Sequence, residues 1–311
     1  MNQSRRVLAI VGPTASGKSA LAVRVALALP AASPWLSAVV VGTDSMQVYR
    51  GMDIGTASPS PEEMSGVAHR MIDVWAPDRE VSVAEFQAEA RQSIDETMAV
   101  GSLPIVVGGS GLYVSAVLDD LRFPGTDPQV RAKWERELER IGPEALHAQL
   151  ALLDPPAAAV ILPTNGRRIV RALEVIELTG EPFAANLPEP VDVYDTVRIG
   201  LEVPRELLDV RIAERVDRMW AAGFVDEVRA LLSRGMSRTA ERALGYAQAI
   251  EQLNGVLTED EAKASTVAAT RRFARRQQRW FRRDQRVQWI PYDATDAVEC
   301  CLAAVGEDTS T

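Results

Sequence analysis

The sequence predicts an α/β protein with a parallel β-sheet core, a helical insertion and a helical C-terminal part. Short apolar runs alternate with helical patterns over the first 120 residues, which is typical of βαβ units. The pattern then becomes helical after residues 123–125, Phe-Pro-Gly. Hydrophobic residues make up 47% of the 311-residue chain and charged residues 25%, so a sizeable core can form.

Each predicted element of the core follows from its own pattern. Residues 7–11, 38–41 and 103–107 are apolar runs of strand length, and residues 20–29 and 83–100 carry helical periodicity. Apolar runs separated by helices indicate a parallel sheet that is covered on both faces.

The insertion is predicted at residues 124–190, between core segments 1–123 and 191–311. Its helical pattern breaks at Gly142-Pro143, at Asp154-Pro155-Pro156 and at Pro163. A strand follows at 193–203, and the chain is helical from Glu206 onward, with turns at glycines and at an Asn-Gly pair.

Composition excludes several classes of protein. The net charge of −9 rules out an overall basic nucleic-acid coat, although a local basic surface remains possible. Cys300 and Cys301 are adjacent and are the only cysteines, so neither a disulfide framework nor, with two histidines, a Cys/His zinc site is expected. The apolar N-terminal run stops at Gly12, which is too short for a signal peptide, and no run approaches membrane-helix length. A cytoplasmic protein is therefore predicted.

A phosphate-binding loop follows the first predicted strand. Residues 12–19 read GPTASGKS, which matches G-x-x-x-x-G-K-[ST] between a strand and a helix. Glycines let the backbone N–H groups point inward, and the helix adds its positive N-terminal end. The motif predicts a P-loop NTPase-like core that binds a diphosphate or triphosphate, without identifying the molecule. Its predicted ligand-binding residues are Gly12, Thr14, Ala15, Ser16, Gly17, Lys18 and, toward Mg²⁺, Ser19.

Asp44 ends the second predicted strand, at the sheet edge where ligands bind in open parallel sheets. Three roles fit this position: a Mg²⁺ ligand, a general base, or a cap for the next element. The third strand ends in a glycine-rich segment, residues 108–111, which permits close approach of a ligand or simply a tight strand–helix turn.

An arginine-rich segment covers residues 271–286, with eight arginines and one acid. On a single helix these arginines fall within an arc of about 140°, opposite Phe273, Trp280 and Phe281. Such a cationic stripe favours a phosphate backbone as partner, and the alternative is a solvated face paired with acids. In the insertion, Arg167 and Arg171 lie one turn apart, followed by Glu174, and would contact RNA or pair internally.

Together these motifs resemble the tRNA dimethylallyltransferases, also called tRNA isopentenyltransferases. They span almost the whole chain in order, with Ser19 and Ser110 where threonine is usual and Arg275 where lysine is common. The matching segments are GPTASGKS at 12–19, DSMQVYR at 44–50, GMDIGTA at 51–57, VGGSGLY at 107–113, RALEV at 171–175, RALGY at 242–246 and RRQQRWF at 275–281.

The resemblance implies a reaction and its catalytic residues. The dimethylallyl group of dimethylallyl diphosphate moves to N6 of adenosine 37 in tRNA and releases diphosphate. Asp44 is expected to act as general base, while Thr14 donates to the bridging side of the diphosphate. Lys18 and Mg²⁺ neutralise the leaving group. By motif, Arg215 also contacts the diphosphate, with Arg211 as the weaker alternative.

The resemblance also implies a tRNA surface. The insertion is expected to grip the anticodon stem-loop, and the target adenine must leave its stack. A monomer without an obligate protein partner is expected. A P-loop nucleotide or small-molecule kinase is the alternative function, which leaves the arginine-rich segment without a purpose. The expected tRNA-binding residues are Asp44, Ser45, Met46, Gln47, Ser110, Arg131, Arg167, Arg168, Ile169, Val170, Arg171, Arg275, Arg279 and Arg282.

Overall fold

A computed structural model describes residues 6–29, 33–183 and 189–306. The chain divides into two compact units, one formed by Met1–Asp119 with Asp192–Thr311 and the other by Asp120–Val191. The junctions lie close to the predicted ones at 123 and 191. The predicted domain ranges also include 1–5, 30–32, 184–188 and 307–311, which lie outside the described residues.

The first unit is built on a six-stranded sheet, counted over the described residues, in which all neighbouring strands are parallel. The spatial order is β3-β2-β4-β1-β5-β6. Both faces of the sheet are covered, so β1 and β4 are completely buried. The α/β prediction is confirmed. The strands are β1 Arg6–Val11, β2 Ser37–Gly42, β3 Ala68–Arg70, β4 Ser102–Gly108, β5 Asp195–Glu202 and β6 Val287–Pro291.

The two edge strands of the sheet, β3 and β6, were not predicted from the sequence. Strand β3 is only Ala-His-Arg and lacks an apolar run. Strand β6 lies in the C-terminal segment that was predicted to be helical, and it forms because it pairs with β5 along five residues. A short edge strand depends on its neighbour more than on its own composition.

The helices begin and end at clear local signals. Ser82 and Glu85 form a capping box at α3, and Thr258 and Glu261 form one at α13. The described helices are α1 Lys18–Leu27, α2 Pro61–Met64, α3 Val83–Ala99, α4 Gly111–Leu118, α5 Pro128–Ile141, α6 Pro143–Leu153, α7 Pro155–Val160, α8 Gly166–Thr179, α9 Arg205–Ala221, α10 Phe224–Arg234, α11 Arg238–Glu241, α12 Tyr246–Leu253, α13 Glu259–Phe281 and α14 Ala297–Gly306.

Alternate residues of the central strands face two different cores. Val7, Ala9 and Val11 of β1 join a large core with α3, α4 and α9–α13, whereas Leu8 and Ile10 pack with α1 and α14. The second unit has a core of its own, in which α6, α7 and α8 pack together. Its helices break at the predicted Gly-Pro and Asp-Pro positions, where Asp154 caps α7.

The arginine-rich segment is not a single helix, and that expectation was wrong. Helix α13 ends at Phe281, and residues 282–286 turn into β6. Asp284 stabilises this turn by accepting the backbone N–H and the guanidinium of Arg286. Arg282, Arg283 and Arg286 therefore leave the helical arc. No helix in the described part of the chain is long and apolar enough to span a bilayer.

Candidate active site

Three loops meet at one edge of the sheet. β1 leads into the phosphate loop, β2 into Thr43 and Asp44, and β4 into the glycine-rich turn. Because β4 lies between β1 and β2 and all three strands are parallel, their carboxyl ends are neighbours. The sheet therefore brings together the segments that the sequence motifs singled out.

The phosphate loop has a backbone suited to an anion. Gly12 has φ 148°, Ala15 has φ 61°, and Gly17 has φ 95° where it caps the start of α1. Ser16 is buried, and its Oγ has no hydrogen-bond partner among the described residues. A buried hydroxyl without a partner is costly, and phosphate oxygens would satisfy it. Ser19 is exposed on the first turn of α1.

Lys18 is held inside this loop. Its Nζ donates to the Pro13 carbonyl oxygen at 2.9 Å. Burial lowers the pKa of Lys18 to about 8, an effect that Asp44 opposes and Arg215 reinforces. The three charged groups therefore lie close enough to influence each other, and an incoming diphosphate would offset the cost of burying two cations.

Arg215 reaches the loop from α9. Its Nη1 donates to Thr14 Oγ1 at 2.9 Å, and its Nη2 donates to the Thr56 carbonyl oxygen at 3.0 Å. Burial lowers the pKa of Arg215, and Asp44 raises it. Arg211, the other arginine of the motif, instead lies 4.5 Å from the ring centroid of Tyr292. Of the two candidates, Arg215 is the one beside Thr14.

Asp44 is half-buried and makes a local turn. Its Oδ1 accepts the backbone N–H of Met46 at 2.8 Å, which is the capping role that sequence reasoning left open. The other oxygen, Oδ2, makes no hydrogen bond to any described residue. Ser45 and Met46 are half-buried in the same turn, and Met46 packs against the large core. Asp44 thus has one oxygen available for chemistry.

Glu227, which sequence reasoning missed, organises the adjacent loop. Its carboxylate accepts the backbone N–H groups of Asp53, Ile54 and Gly55 at 3.1, 2.7 and 3.2 Å and the hydroxyl of Tyr246 at 2.6 Å. Burial and Glu227 raise the pKa of Tyr246, which keeps it a donor. The sequence signal for this contact was the presence of the GMDIGTA and RALGY motifs, because Glu227 forms hydrogen bonds to residues of both.

This ordered loop supports two side chains of the site. Thr56 offers its carbonyl oxygen both to Arg215 and, at 3.3 Å, to Nε2 of Gln47. Gln47 also donates to Ala57 O at 3.2 Å. Its amide N–H groups are therefore engaged by the protein.

The glycines after β4 are required by packing against protein. A Cβ on Gly108 would lie 1.9 Å from Thr43 Oγ1, and one on Gly111 would lie 2.3 Å from the Trp280 ring. Between the two interpretations, the tight turn explains these glycines. Ser110 is half-buried at the start of α4, and its side chain makes no capping bond.

The arginine-rich segment is partly neutralised by acids. Arg271 donates to the Asp209 carbonyl oxygen at 2.9 Å, and Arg282 pairs with Glu202 while its guanidinium lies 4.4 Å from the Trp289 ring centroid. Arg275 and Arg279 make no ion pair with any described acid, and the latter is exposed. The cationic surface is therefore smaller than the predicted stripe.

The insertion requires two corrections among the predicted tRNA contacts. Ile169 and Val170 are 0% and 1% exposed because they fill the core of the second unit, so their side chains cannot contact RNA. Arg167 and Arg168 are exposed on α8.

Two further predicted tRNA contacts of the insertion, Arg171 and Arg131, form ion pairs with neighbouring glutamates. Arg171 donates to Glu174 at 2.9 Å and to the carbonyl oxygens of Pro124 and Gly125. Arg131 lies 3.4 Å from Glu135 and 3.7 Å from the buried Glu174. Of the predicted basic contacts in the insertion, Arg167 and Arg168 are the ones most exposed to solvent.

Comparison with known proteins finds relatives that match almost the whole of this chain. A family model described as "IPP transferase" matches residues 47–284. A tRNA dimethylallyltransferase of Thermobifida fusca is 60% identical over 303 residues, which covers 97% of this chain and 94% of the relative.

Solved structures are similar over the same length. The tRNA isopentenylpyrophosphate transferase of Bacillus halodurans has a TM-score of 0.70 and 39% identity and covers 97% of each chain. A eukaryotic dimethylallyltransferase acting on tRNA has a TM-score of 0.80 at 24% identity, covering 96% of this chain and 78% of that one, and at this identity it supports the fold. The chain belongs to the IPP transferase family, together with the tRNA dimethylallyltransferases.

Proposed function

We propose that this protein transfers the dimethylallyl group of dimethylallyl diphosphate to N6 of adenosine 37 in tRNA. The observation that carries the proposal is the convergence of Thr14, Lys18, Asp44 and Arg215 at one phosphate loop, in a chain of this family. The relatives' printed name, tRNA dimethylallyltransferase, supports the same group transfer.

The donor diphosphate is proposed to bind in the phosphate loop. Ser16 Oγ, Lys18 Nζ and the loop N–H groups would surround its oxygens, and Thr14, supported by Arg215, would donate at the bridging side. These fixed donors stabilise the charge that develops on the leaving group.

Mg²⁺ is proposed as the cofactor of this site. No cluster of three His, Cys, Asp or Glu side chains that could hold a metal occurs among the described residues. Mg²⁺ is commonly held by one or two protein oxygens together with substrate phosphates and water, so the exposed Ser19 hydroxyl beside the loop fits that mode. When bound, the ion supplies further charge neutralisation to the diphosphate.

Asp44 is proposed as the general base. Adenine N6 is a weak nucleophile because its lone pair is delocalised into the ring. As N6 bonds to the allylic carbon, the carbon–oxygen bond to the diphosphate breaks and Asp44 takes the N6 proton. Its Oδ2 is the oxygen left available for this step, because Oδ1 holds the Met46 N–H.

The acceptor is proposed to be the anticodon stem-loop, with its adenine flipped from the stack. Ser45 and Ser110 lie on loops at the sheet edge that carries the phosphate loop, and Arg275 and Arg279 extend a cationic surface on α13. Arg167 and Arg168 offer further cations on the insertion. We propose a cytoplasmic location, where tRNA is available.

Mass spectrometry of tRNA tests this function. The purified protein is incubated with unmodified tRNA, Mg²⁺ and dimethylallyl diphosphate, and a parallel reaction contains ATP instead. The expected product is tRNA that is heavier by one dimethylallyl group at an anticodon-loop adenosine. ATP consumption with unprenylated tRNA would instead indicate a P-loop kinase.

A further inference from the structure

Gln277 is a buried side chain of α13 that reaches the phosphate loop. It is 5% exposed, and its Oε1 accepts the backbone N–H of Thr14 at 2.9 Å across 263 positions of sequence. Its Nε2 lies against the turn after β4, where a Cβ on Gly109 would approach it to 2.5 Å. A buried amide at this position carries a desolvation cost, which the hydrogen bond to Thr14 offsets.

We infer that Gln277 is a positioning residue that orients Thr14 toward the diphosphate. The inference rests on the proposed function. Pro13 has no N–H and a restricted φ, and Gln277 captures the N–H of the next residue, so the backbone entering Thr14 is held from two sides. With its N–H engaged, Thr14 acts on the donor through its hydroxyl, to which Arg215 donates at 2.9 Å.

The location of Gln277 on α13 gives this contact a second consequence. The same helix displays Arg275 and Arg279, which belong to the proposed tRNA surface. The hydrogen bond between Gln277 and Thr14 therefore connects α13, which is proposed to contact RNA, with the phosphate loop, which is proposed to hold the donor.

A double-mutant cycle separates positioning from simple space-filling. Gln277→Leu removes the acceptor, Thr14→Ala removes the hydroxyl, and Gln278→Leu on the same helix is the matched control. We expect Gln277→Leu to lower kcat/KM for dimethylallyl diphosphate about tenfold, the effect of one lost hydrogen bond, while the tRNA Kd changes by less than about twofold. Gln278→Leu should leave both values within about twofold.

The decisive measurement is the combined variant. If Gln277 acts through Thr14, Gln277→Leu adds less than about twofold to the loss caused by Thr14→Ala. Losses that multiply, or wild-type activity in Gln277→Leu, would overturn the inference. Gln277→Met, which keeps the side-chain length, replaces the leucine variant if that one does not fold.

A failure of the proposed function can be distinguished from a failure of the positioning role. If the wild-type protein does not prenylate tRNA, the same cycle is measured as the Kd for inorganic diphosphate with Mg²⁺ by calorimetry. Coupled losses in that Kd support the positioning role without the transfer reaction, and independent losses contradict it.

Discussion

At the scale of single residues, the Asp44 carboxylate divides its oxygens between structure and chemistry. Oδ1 accepts the Met46 N–H and so holds the turn after β2. An asparagine keeps this acceptor but loses the negative charge. Substitution can therefore remove the base while the surrounding turn is preserved.

Asp44→Asn is expected to lower the rate of prenyl transfer by about 10²–10⁴-fold, the usual contribution of a general base. Binding of tRNA should survive because the turn and the basic surface stay intact. Single-turnover transfer and a tRNA binding titration measure the two effects. Near-normal turnover in this variant would exclude Asp44 as the base.

Cys301 offers a residue-scale probe of folding. It lies on the buried face of α14, and burial raises the pKa of its thiol to about 12. The thiolate is the reactive form, so the native thiol should be alkylated about a thousandfold more slowly near pH 8 than the unfolded one. Because the folded pKa is raised, the native alkylation rate should still be rising with pH where the rate for the unfolded thiol has already levelled off.

Pulse alkylation with iodoacetamide, followed by mass spectrometry at increasing urea, checks this expectation. Cys300, which is half-buried and next in sequence, serves as the internal comparison. Equal labelling of Cys301 in native and unfolded protein would contradict the burial.

At the scale of elements, α13 combines structural and RNA-facing roles on one helix. Thr266, Thr270, Ala274 and Gln277 face inward and are buried. Arg275 and Arg279 lie on the more exposed side, whereas Arg282, just past the helix end, pairs with Glu202. The arginines of the segment therefore differ in how available their charges are to an RNA phosphate.

We expect Arg275→Ala with Arg279→Ala to weaken tRNA binding and to reduce the slope of log Kd against log salt by about one unit for each lost phosphate contact. Arg282→Ala should reduce that slope less, because its charge is already paired and stacked. Binding titrations at several salt concentrations provide the measurement. If all variants had the same slope as the wild-type protein, the arginine-rich segment would be a solvated face that does not contact phosphates.

At the scale of the whole molecule, an ion cluster holds the two strand-like segments through which the chain leaves and re-enters the first unit. Asp119 and Asp192 form an antiparallel bridge there. Arg198 and Arg286 both bind the two carboxylates, with Arg198 and Asp119 almost fully buried. Buried charges of this kind are tolerated because each has partners of opposite sign.

Asp119→Asn should lower the free energy of unfolding by about 2 kcal/mol, since it weakens two charged hydrogen bonds in a buried cluster. Asp120→Asn, at the exposed neighbouring position, is the control and should change stability by less than about 0.5 kcal/mol. Urea unfolding gives both values. Equal stabilities of the two variants would show that the cluster contributes little.

Much of the fold was predictable because local signals were strong. Strand β1, the glycine-lysine loop and α1 follow each other in a pattern that short-range chemistry determines, and the proline-marked breaks of the insertion were correct. Strands β3 and β6 were missed because short edge strands form through pairing. The expectation of a helix through Arg286 was wrong because α13 ends at Phe281 and Asp284 stabilises the turn that follows by accepting the backbone N–H and guanidinium of Arg286.

The sequence by itself determined the parallel α/β core, the phosphate loop and the resemblance to the family, since each depends on residue type at a fixed local spacing, and that resemblance implied Asp44 as the candidate base. Only the tertiary structure decided that Arg215 rather than Arg211 meets Thr14, that Glu227 and Gln277 support the site, and which arginines are already paired. The physical reason is range: these contacts join positions far apart in sequence, and burial and partner choice depend on packing that no local pattern encodes.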